Sequence, residues 1–229
     1  AMNKLLEQIE ECVREYYDRS ERDTPSRRVS LAEPVFDHRE ANRAIRTILS
    51  GWISQGPNVA EFERDFARYV GCNSAVAVNS GSSANLVVLL ALRERLGLED
   101  GDEVILPAAT FATVAAPVIQ AGLTPVYVDV RRETLNMDPR SVKESLSSRS
   151  RVLMPVHTLG YPAEMDALLE IAAGAGLTVL EDCCEAHGAS IDGKRVGQFG
   201  VAGTYSFFVA HNMTTGEGGM IVTDDQEIE

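Results

Sequence analysis

Short apolar runs alternate with longer helical patterns from residue 75 to residue 223, and no other feature restricts the possible folds as much. Strands are expected at 75–78, 103–106, 125–130, 152–156, 178–181, 204–208 and 220–223, and helices at 83–96, 113–121, 139–146 and 163–175 between several of them. Such alternation predicts an α/β fold, a mostly parallel sheet flanked by helices on both faces. Ligands of such sheets gather beyond the carboxyl ends of the strands, so the residues just past each strand are the first candidates for chemistry.

Upstream, Leu5, Leu6, Ile9, Val13 and Tyr16 recur at helical spacing and predict an amphipathic helix over 3–19. The polar, proline-containing stretch 20–28 reads as a linker. Residues 1–30 are therefore expected to be a helical leader with its linker, and 31–229 one large domain. Two further helical patterns follow, one through Ala41, Ile45, Ile48 and Leu49, the other through Val59, Phe62, Phe66 and Val70, with Trp52 between them near Gly51 and Gly56.

A net charge of −13 argues against a general nucleic-acid or anionic-membrane surface and points to a small molecule as partner. Cys12, Cys72, Cys183 and Cys184 lack metal-finger spacing, and adjacent cysteines are badly placed to bridge each other, so no metal is expected and the thiols read as reduced. There is no uninterrupted apolar stretch of bilayer length, and residues 1–4 hold no signal-peptide core. Ala1 before Met2 reads as an appended residue, and the expected location is the cytoplasm.

Several strand ends carry residues that admit two readings. The turn Ser80-Gly81-Ser82-Ser83 into a helix presents unpaired N–H groups and hydroxyls to an anion, or is an ordinary capped helix start. Asp182 is placed either to hold a protonated ring nitrogen or to cap a turn. Phe111 is either a stacking face for a flat cofactor or a core side chain. His187 is either a pocket residue or packing. Ser206 and His211 follow in Ser206-Phe207-Phe208-Val209-Ala210-His211, and an imidazole with an ordinary pKa of about 6.5 suits proton transfer near neutral pH.

From about Ile48 to Asp224, the runs Ser80-Gly81-Ser82-Ser83-Ala84-Asn85, Pro107-Ala108-Ala109-Thr110-Phe111, Glu181-Asp182-Cys183-Cys184-Glu185-Ala186-His187-Gly188 and Ser206 to Gly219 stand in the order and spacing of a known family. The chain resembles the DegT/DnrJ/EryC1/StrS sugar aminotransferases, which use pyridoxal phosphate on the aspartate-aminotransferase fold. The resemblance implies the large domain of that fold, with further sheet and a small carboxyl-terminal domain expected beyond Glu229. It implies that Gly81, Ser82 and Ser206 hold the cofactor phosphate, that Phe111 stacks on the pyridine ring and that Asp182 pairs with its nitrogen. Glu185 falls near the ring hydroxyl, where the family usually places an amide.

At residue 211 the family keeps the lysine that binds the cofactor covalently, and this chain has histidine. Its three lysines, Lys4, Lys143 and Lys194, all lie outside the motif. Histidine there marks a subgroup, the 3-dehydratases of nucleotide-linked 4-keto-6-deoxyhexoses that depend on pyridoxamine 5'-phosphate (PMP). The helical leader, the run Gly51-Trp52-Ile53-Ser54-Gln55-Gly56, the paired cysteines after Asp182 and His157-Thr158-Leu159-Gly160 are similar to runs in that subgroup. The resemblance implies noncovalent PMP condensed with the sugar's 4-keto group, His211 removing a proton from its methylene, and loss of the C3 hydroxyl. Some members add a [2Fe-2S] cluster and a reductase electron donor, and others regenerate the cofactor by transamination. The leader favours the first kind, whose cluster cysteines would lie beyond Glu229. A homodimer is implied as well. An ordinary aminotransferase and an inactive cofactor-binding homologue stand as alternatives.

Overall fold

The computed structural model describes residues 2–19, 32 and 35–229. The linker expected over 20–28 lies outside the described residues. The chain divides into two compact units, Ala1–Ala60 and Glu61–Glu229.

In the first unit, α1 (Met2–Arg19) and α2 (His38–Leu49) are joined side to side by polar contacts. Arg46 forks onto the Glu10 carboxylate, with Nη2 donating to Oε2 at 2.7 Å, and Asn42 Nδ2 donates to the Glu10 carbonyl at 3.4 Å. A capping box starts α2: Asp37 accepts from the Arg39 N–H at 2.8 Å, and Glu40 reaches back to the Asp37 N–H at 2.7 Å. Beyond α2 the Trp52 indole donates to the Gln55 carbonyl at 2.9 Å and closes over Gly56. A Cβ on Gly56 would lie 2.2 Å from Trp52 Nε1, so a side chain there would have to displace the indole. The helix α3 (Pro57–Val70) begins here, and its residues from Glu61 onward belong to the second unit.

The second unit is a seven-stranded sheet. Its strands are β1 (Ser74–Val78), β2 (Glu103–Pro107), β3 (Thr124–Val128), β4 (Ser150–Leu153), β5 (Thr178–Asp182), β8 (Ala202–Ser206) and β9 (Gly219–Thr223), arranged β1-β9-β8-β5-β4-β2-β3. Four neighbouring pairs, from β3 through β2, β4 and β5 to β8, are parallel. The helices α4 (Gly81–Leu96), α5 (Ala112–Gln120), α6 (Pro139–Ser145) and α7 (Met165–Ala175) follow strands β1 to β4, as expected from the alternation. Only β9 runs antiparallel to both neighbours. Its connection from β8 holds no helix to carry the chain across the sheet, and a reversal was the remaining route.

Some details depart from the sequence reading. Three strands end earlier than expected, at Val128 rather than Val130, at Leu153 rather than Val156 and at Ser206 rather than Phe208, and Ser190–Ile191 (β6) pairs with Lys194–Arg195 (β7) in a small hairpin. Asp192 and Gly193, at φ 50° and 83°, supply its two left-handed turn positions.

Strand side chains alternate between two cores, as the pleat dictates. On one face Val104, Leu106 and Leu180 pack with Val88, Leu89 and Leu92 of α4 and Val114 and Val118 of α5. On the other, Ile105 and Val179 pack with Leu168, Ile171 and Ala172 of α7. A third cluster joins Phe66 and Val70 of α3 to Cys183, Tyr205, Phe207 and Met220, leaving the carboxyl ends of β5 and β8 supported from below.

Candidate active site

The buried polar side chains of the sheet concentrate where β1, β5 and β8 end. Asp182, the last residue of β5, is 3 % exposed, and both of its oxygens are held. Oδ1 accepts the Cys184 N–H at 3.0 Å and Oδ2 accepts Asn85 Nδ2 at 2.8 Å. The carboxylate is thus turned by neutral donors, with no cation of this chain among those partners.

Beside it, β1 turns into α4. Ser80 caps the helix through its Oγ, which accepts the Ser83 N–H at 3.1 Å. The first N–H groups of a helix have no acceptor within it, so those of Gly81 and Ser82 are left for an anion. Both readings of this turn hold at once, since the cap and the anion use different N–H groups. Gly81 has to be glycine: a Cβ would stand 2.6 Å from Ser206 Cβ, 2.7 Å from Cys184 Sγ and 3.2 Å from Ser206 Oγ. Gly219 is tighter still, its Cβ falling 2.3 Å from the Ser80 carbonyl oxygen, so β9 passes directly beneath the turn.

His211 lies in the loop between β8 and β9, half-buried, its ring edge-on to Phe208 at 5.9 Å. Its Nδ1 stands 3.2 Å from the Ser206 carbonyl oxygen. A carbonyl only accepts, so Nδ1 carries the hydrogen and Nε2 keeps its lone pair, the tautomer a proton-accepting base needs.

The remaining candidates are less closely joined. Phe111 is the N-cap residue of α5 and stands 74 % exposed, so the core reading of this side chain does not hold. Ser82 is half-buried in the first turn of α4. Glu185 turns its Oε2 to the Leu159 N–H at 3.0 Å and holds a turn in which Leu159 has φ 53°. The structure therefore links Gly81, Asp182, Ser206 and His211 by way of Cys184 and Ser206, and places Ser82 in the first turn of α4, Phe111 at the start of α5 and Glu185 in the loop after β5.

His187 proves to be packing. Its ring sits among Phe66, Tyr205 and Phe207, with both nitrogens buried and unbonded. Burial, and then the charge of His211, lowers its pKa from 6.5 to about 4. Burial likewise pushes the Cys183 and Cys184 thiols well up, with Glu181 and Asp182 adding to the effect at Cys183, and Asp182 at Cys184.

Sequence reasoning passed over three residues that hold this site together. Glu181, fully buried, accepts four hydrogen bonds, from the N–H groups of Phe199 (2.6 Å), Gly200 (2.7 Å) and Gly197 (2.8 Å) and from His157 Nε2 (3.0 Å). Asn85 and Thr204 form the second element, with Thr204 Oγ1 donating to Asn85 Oδ1 at 2.6 Å. A signal for Asn85 existed: it shares the helical face of Ala84, Val88, Leu89 and Leu92, and a polar residue on an apolar stripe needs a partner. His157, Glu181 and Cys183 offer ligand atoms within 4.8 Å of one another, but the donors already on Glu181 and the acceptor duty of His157 Nδ1 toward the Ala163 N–H (3.0 Å) occupy the lone pairs a metal would require.

The donor set fits a phosphorylated pyridine: an anion cradle that a Cβ would fill, a buried carboxylate facing out of the strand ends, an exposed aromatic ring and a base. Known proteins agree. A GDP-4-keto-6-deoxy-D-mannose 3-dehydratase of Yersinia pseudotuberculosis is 38% identical over 86% of this chain and 51% of its own length. A dTDP-4-dehydro-2,6-dideoxy-D-glucose 3-dehydratase of Saccharopolyspora spinosa is 40% identical over 94% of this chain and 48% of its own. The solved E coli GDP-4-keto-6-deoxy-D-mannose-3-dehydratase with bound hydrated PLP superposes with a TM-score of 0.84 at 38% identity, over 88% of this chain and 52% of that one. The chain spans about half the length of these relatives. Among the described residues no helix is long and apolar enough to cross a membrane. With residues 34–229 matched by the family's sequence pattern, the chain belongs to the DegT/DnrJ/EryC1/StrS aminotransferase family.

Proposed function

We propose that the full-length protein binds PMP noncovalently and removes the C3 hydroxyl of a nucleotide-linked 4-keto-6-deoxyhexose, acting in the cytoplasm as a homodimer. His211 carries the reading: it stands in place of the family's lysine, with its hydrogen committed to the Ser206 carbonyl and its Nε2 lone pair available. PMP supplies an amine to condense with the ketone and a ring that takes up electrons as the hydroxyl leaves.

The chain's own residues have defined tasks. The N–H groups of Gly81 and Ser82, with Ser206 Oγ, bind the phosphate at the start of α4. Asp182 holds the ring nitrogen protonated, and Phe111 lies against the ring and covers it from water. His211 Nε2 accepts a proton from the carbon next to the ring, and the imidazolium so formed is stabilised by the carbonyl on Nδ1. Glu185 keeps the turn at Leu159 in place.

An ordinary aminotransferase would need a lysine near this point. The lysine of the β6–β7 hairpin, Lys194, instead lies over the Phe199 ring, 4.5 Å from its centroid. The iron–sulfur cluster and reductase that the resemblance leaves open form no part of the proposal. The test is to incubate full-length protein with PMP and a panel of nucleotide-linked 4-keto sugars and follow product mass. Loss of water from one sugar, abolished in His211→Asn with PMP binding retained, is the expected result. A lysine adduct after pyridoxal phosphate and borohydride would establish the aminotransferase, and binding without turnover the inactive homologue.

A further inference from the structure

Asp182 is aimed by a side chain that no part of the reaction touches. Asn85 Nδ2 donates to Asp182 Oδ2 at 2.8 Å and to the Thr113 carbonyl at 3.2 Å. Its Oδ1 accepts the Thr204 hydroxyl at 2.6 Å. Asn85, Asp182 and Thr204 are 1 %, 3 % and 0 % exposed, so water does not substitute for any of these bonds. Two acceptors face the amide nitrogen and one hydroxyl faces the amide oxygen, which leaves a single orientation of the amide. Turned over, it would set its oxygen against the carboxylate and the Thr113 carbonyl, two repulsive contacts in a buried place.

We infer that Asn85, locked by Thr204, is the positioning residue that sets the plane of the Asp182 carboxylate toward the ring nitrogen of the bound cofactor. The inference rests on the cofactor reading of the site. A neutral donor suits the task, because a lysine or arginine there would compete with the ring for the carboxylate's charge. Without the Asn85 bond the carboxylate keeps Cys184 as its partner, through the N–H on Oδ1 and the thiol, and loses the donor that fixes Oδ2. The Asn85 link to the Thr113 carbonyl adds a second consequence: it ties the start of α5, where Phe111 stands, to the same carboxylate. One amide thereby registers the ring's edge partner and its stacking partner with each other.

The test compares full-length wild type with Asn85→Leu, Thr204→Val and Thr204→Ser, measuring affinity for PMP and for its analogue with carbon in place of the ring nitrogen. Asn85→Leu should lose about tenfold or more in affinity for PMP, the worth of one hydrogen bond to a charged group, and little for the analogue, which offers Asp182 nothing to pair with. Thr204→Val should move in the same direction, and Thr204→Ser, which keeps the hydroxyl, should match wild type. Crystals of the cofactor-free variants should show the Asp182 carboxylate rotated in Asn85→Leu and in place in Thr204→Ser. Equal losses for both ligands, or an unmoved carboxylate, would overturn the inference. Should wild type bind neither ligand, the cofactor reading fails, and the crystals alone decide whether Asn85 orients Asp182. If Asn85→Leu does not fold, Thr204→Val carries the same comparison.

Discussion

Replacing Glu181 with glutamine changes one oxygen to NH₂ in a site with no exposure, and the geometry says what this costs. In the wild type Oε1 accepts the Phe199 and Gly200 N–H groups, and Oε2 accepts the Gly197 N–H and His157 Nε2. The amide oxygen can keep the first pair. The amide nitrogen then meets two donors. His157 has no tautomer that helps, because moving its hydrogen to Nδ1 would break the bond from the Ala163 N–H. Two orphaned donors at about 1–3 kcal/mol each give about 2–6 kcal/mol, and relief of the buried charge returns part of it, so the expected loss is about 3 kcal/mol. For a unit of this size that is a fall of about 6–12 °C in melting temperature. Urea unfolding at pH 7.5, followed by circular dichroism, measures it. His157→Leu added to Glu181→Gln removes one of the orphaned donors and should make the double variant less unstable than the two separate losses added together. A Glu181→Gln protein within about 0.5 kcal/mol of wild type, the range of an ordinary surface change, would refute the reasoning.

Further outcomes follow from other contacts. His187 titrates at about 4 in the folded chain against 6.5 in the reference state, so the unfolded chain takes up the proton first. Stability from this group is complete above pH 6.5 and drains away toward pH 4, by about 3 kcal/mol, and urea titrations of His187→Leu should show a correspondingly flatter dependence. Gly81→Ala has to push apart Ser206 and Cys184 and should cost about 1–3 kcal/mol, with PMP binding by the full-length protein lost; calorimetry reads both. Iodoacetamide at pH 8 should label Cys12, which is exposed, well before Cys72, whose thiol burial and then Asp224 push up to about 12, and before Cys183 and Cys184; peptide mapping gives the order.

The parallel order of the sheet was legible because each crossover helix carries its own periodicity, and strand starts fell within about two residues of the expected ones, inside the usual error of boundaries. The antiparallel course of β9 was not, since an apolar run looks the same in either direction. Asp182, Gly81, Ser206 and His211 could be marked from their runs. Phe111 left core and stacking both open in the local pattern, and its exposure removes only the core reading. Glu185 was expected at a ring hydroxyl; its contact with Leu159 depends on a turn more than twenty residues away in the chain, for which no local pattern exists.

What the sequence by itself determined is the kind of fold and the chemical repertoire, because hydrophobic period and residue type are local properties. What only tertiary structure decided is how that repertoire is aimed. Asn85 on α4 meets Thr204 and Asp182 on two neighbouring strands, Glu181 collects donors from a distant loop, and His211 loses the choice of tautomer to a neighbouring carbonyl. Hydrogen bonds are short and directional, so their partners are settled by where folding brings atoms together and not by the order in which residues are joined.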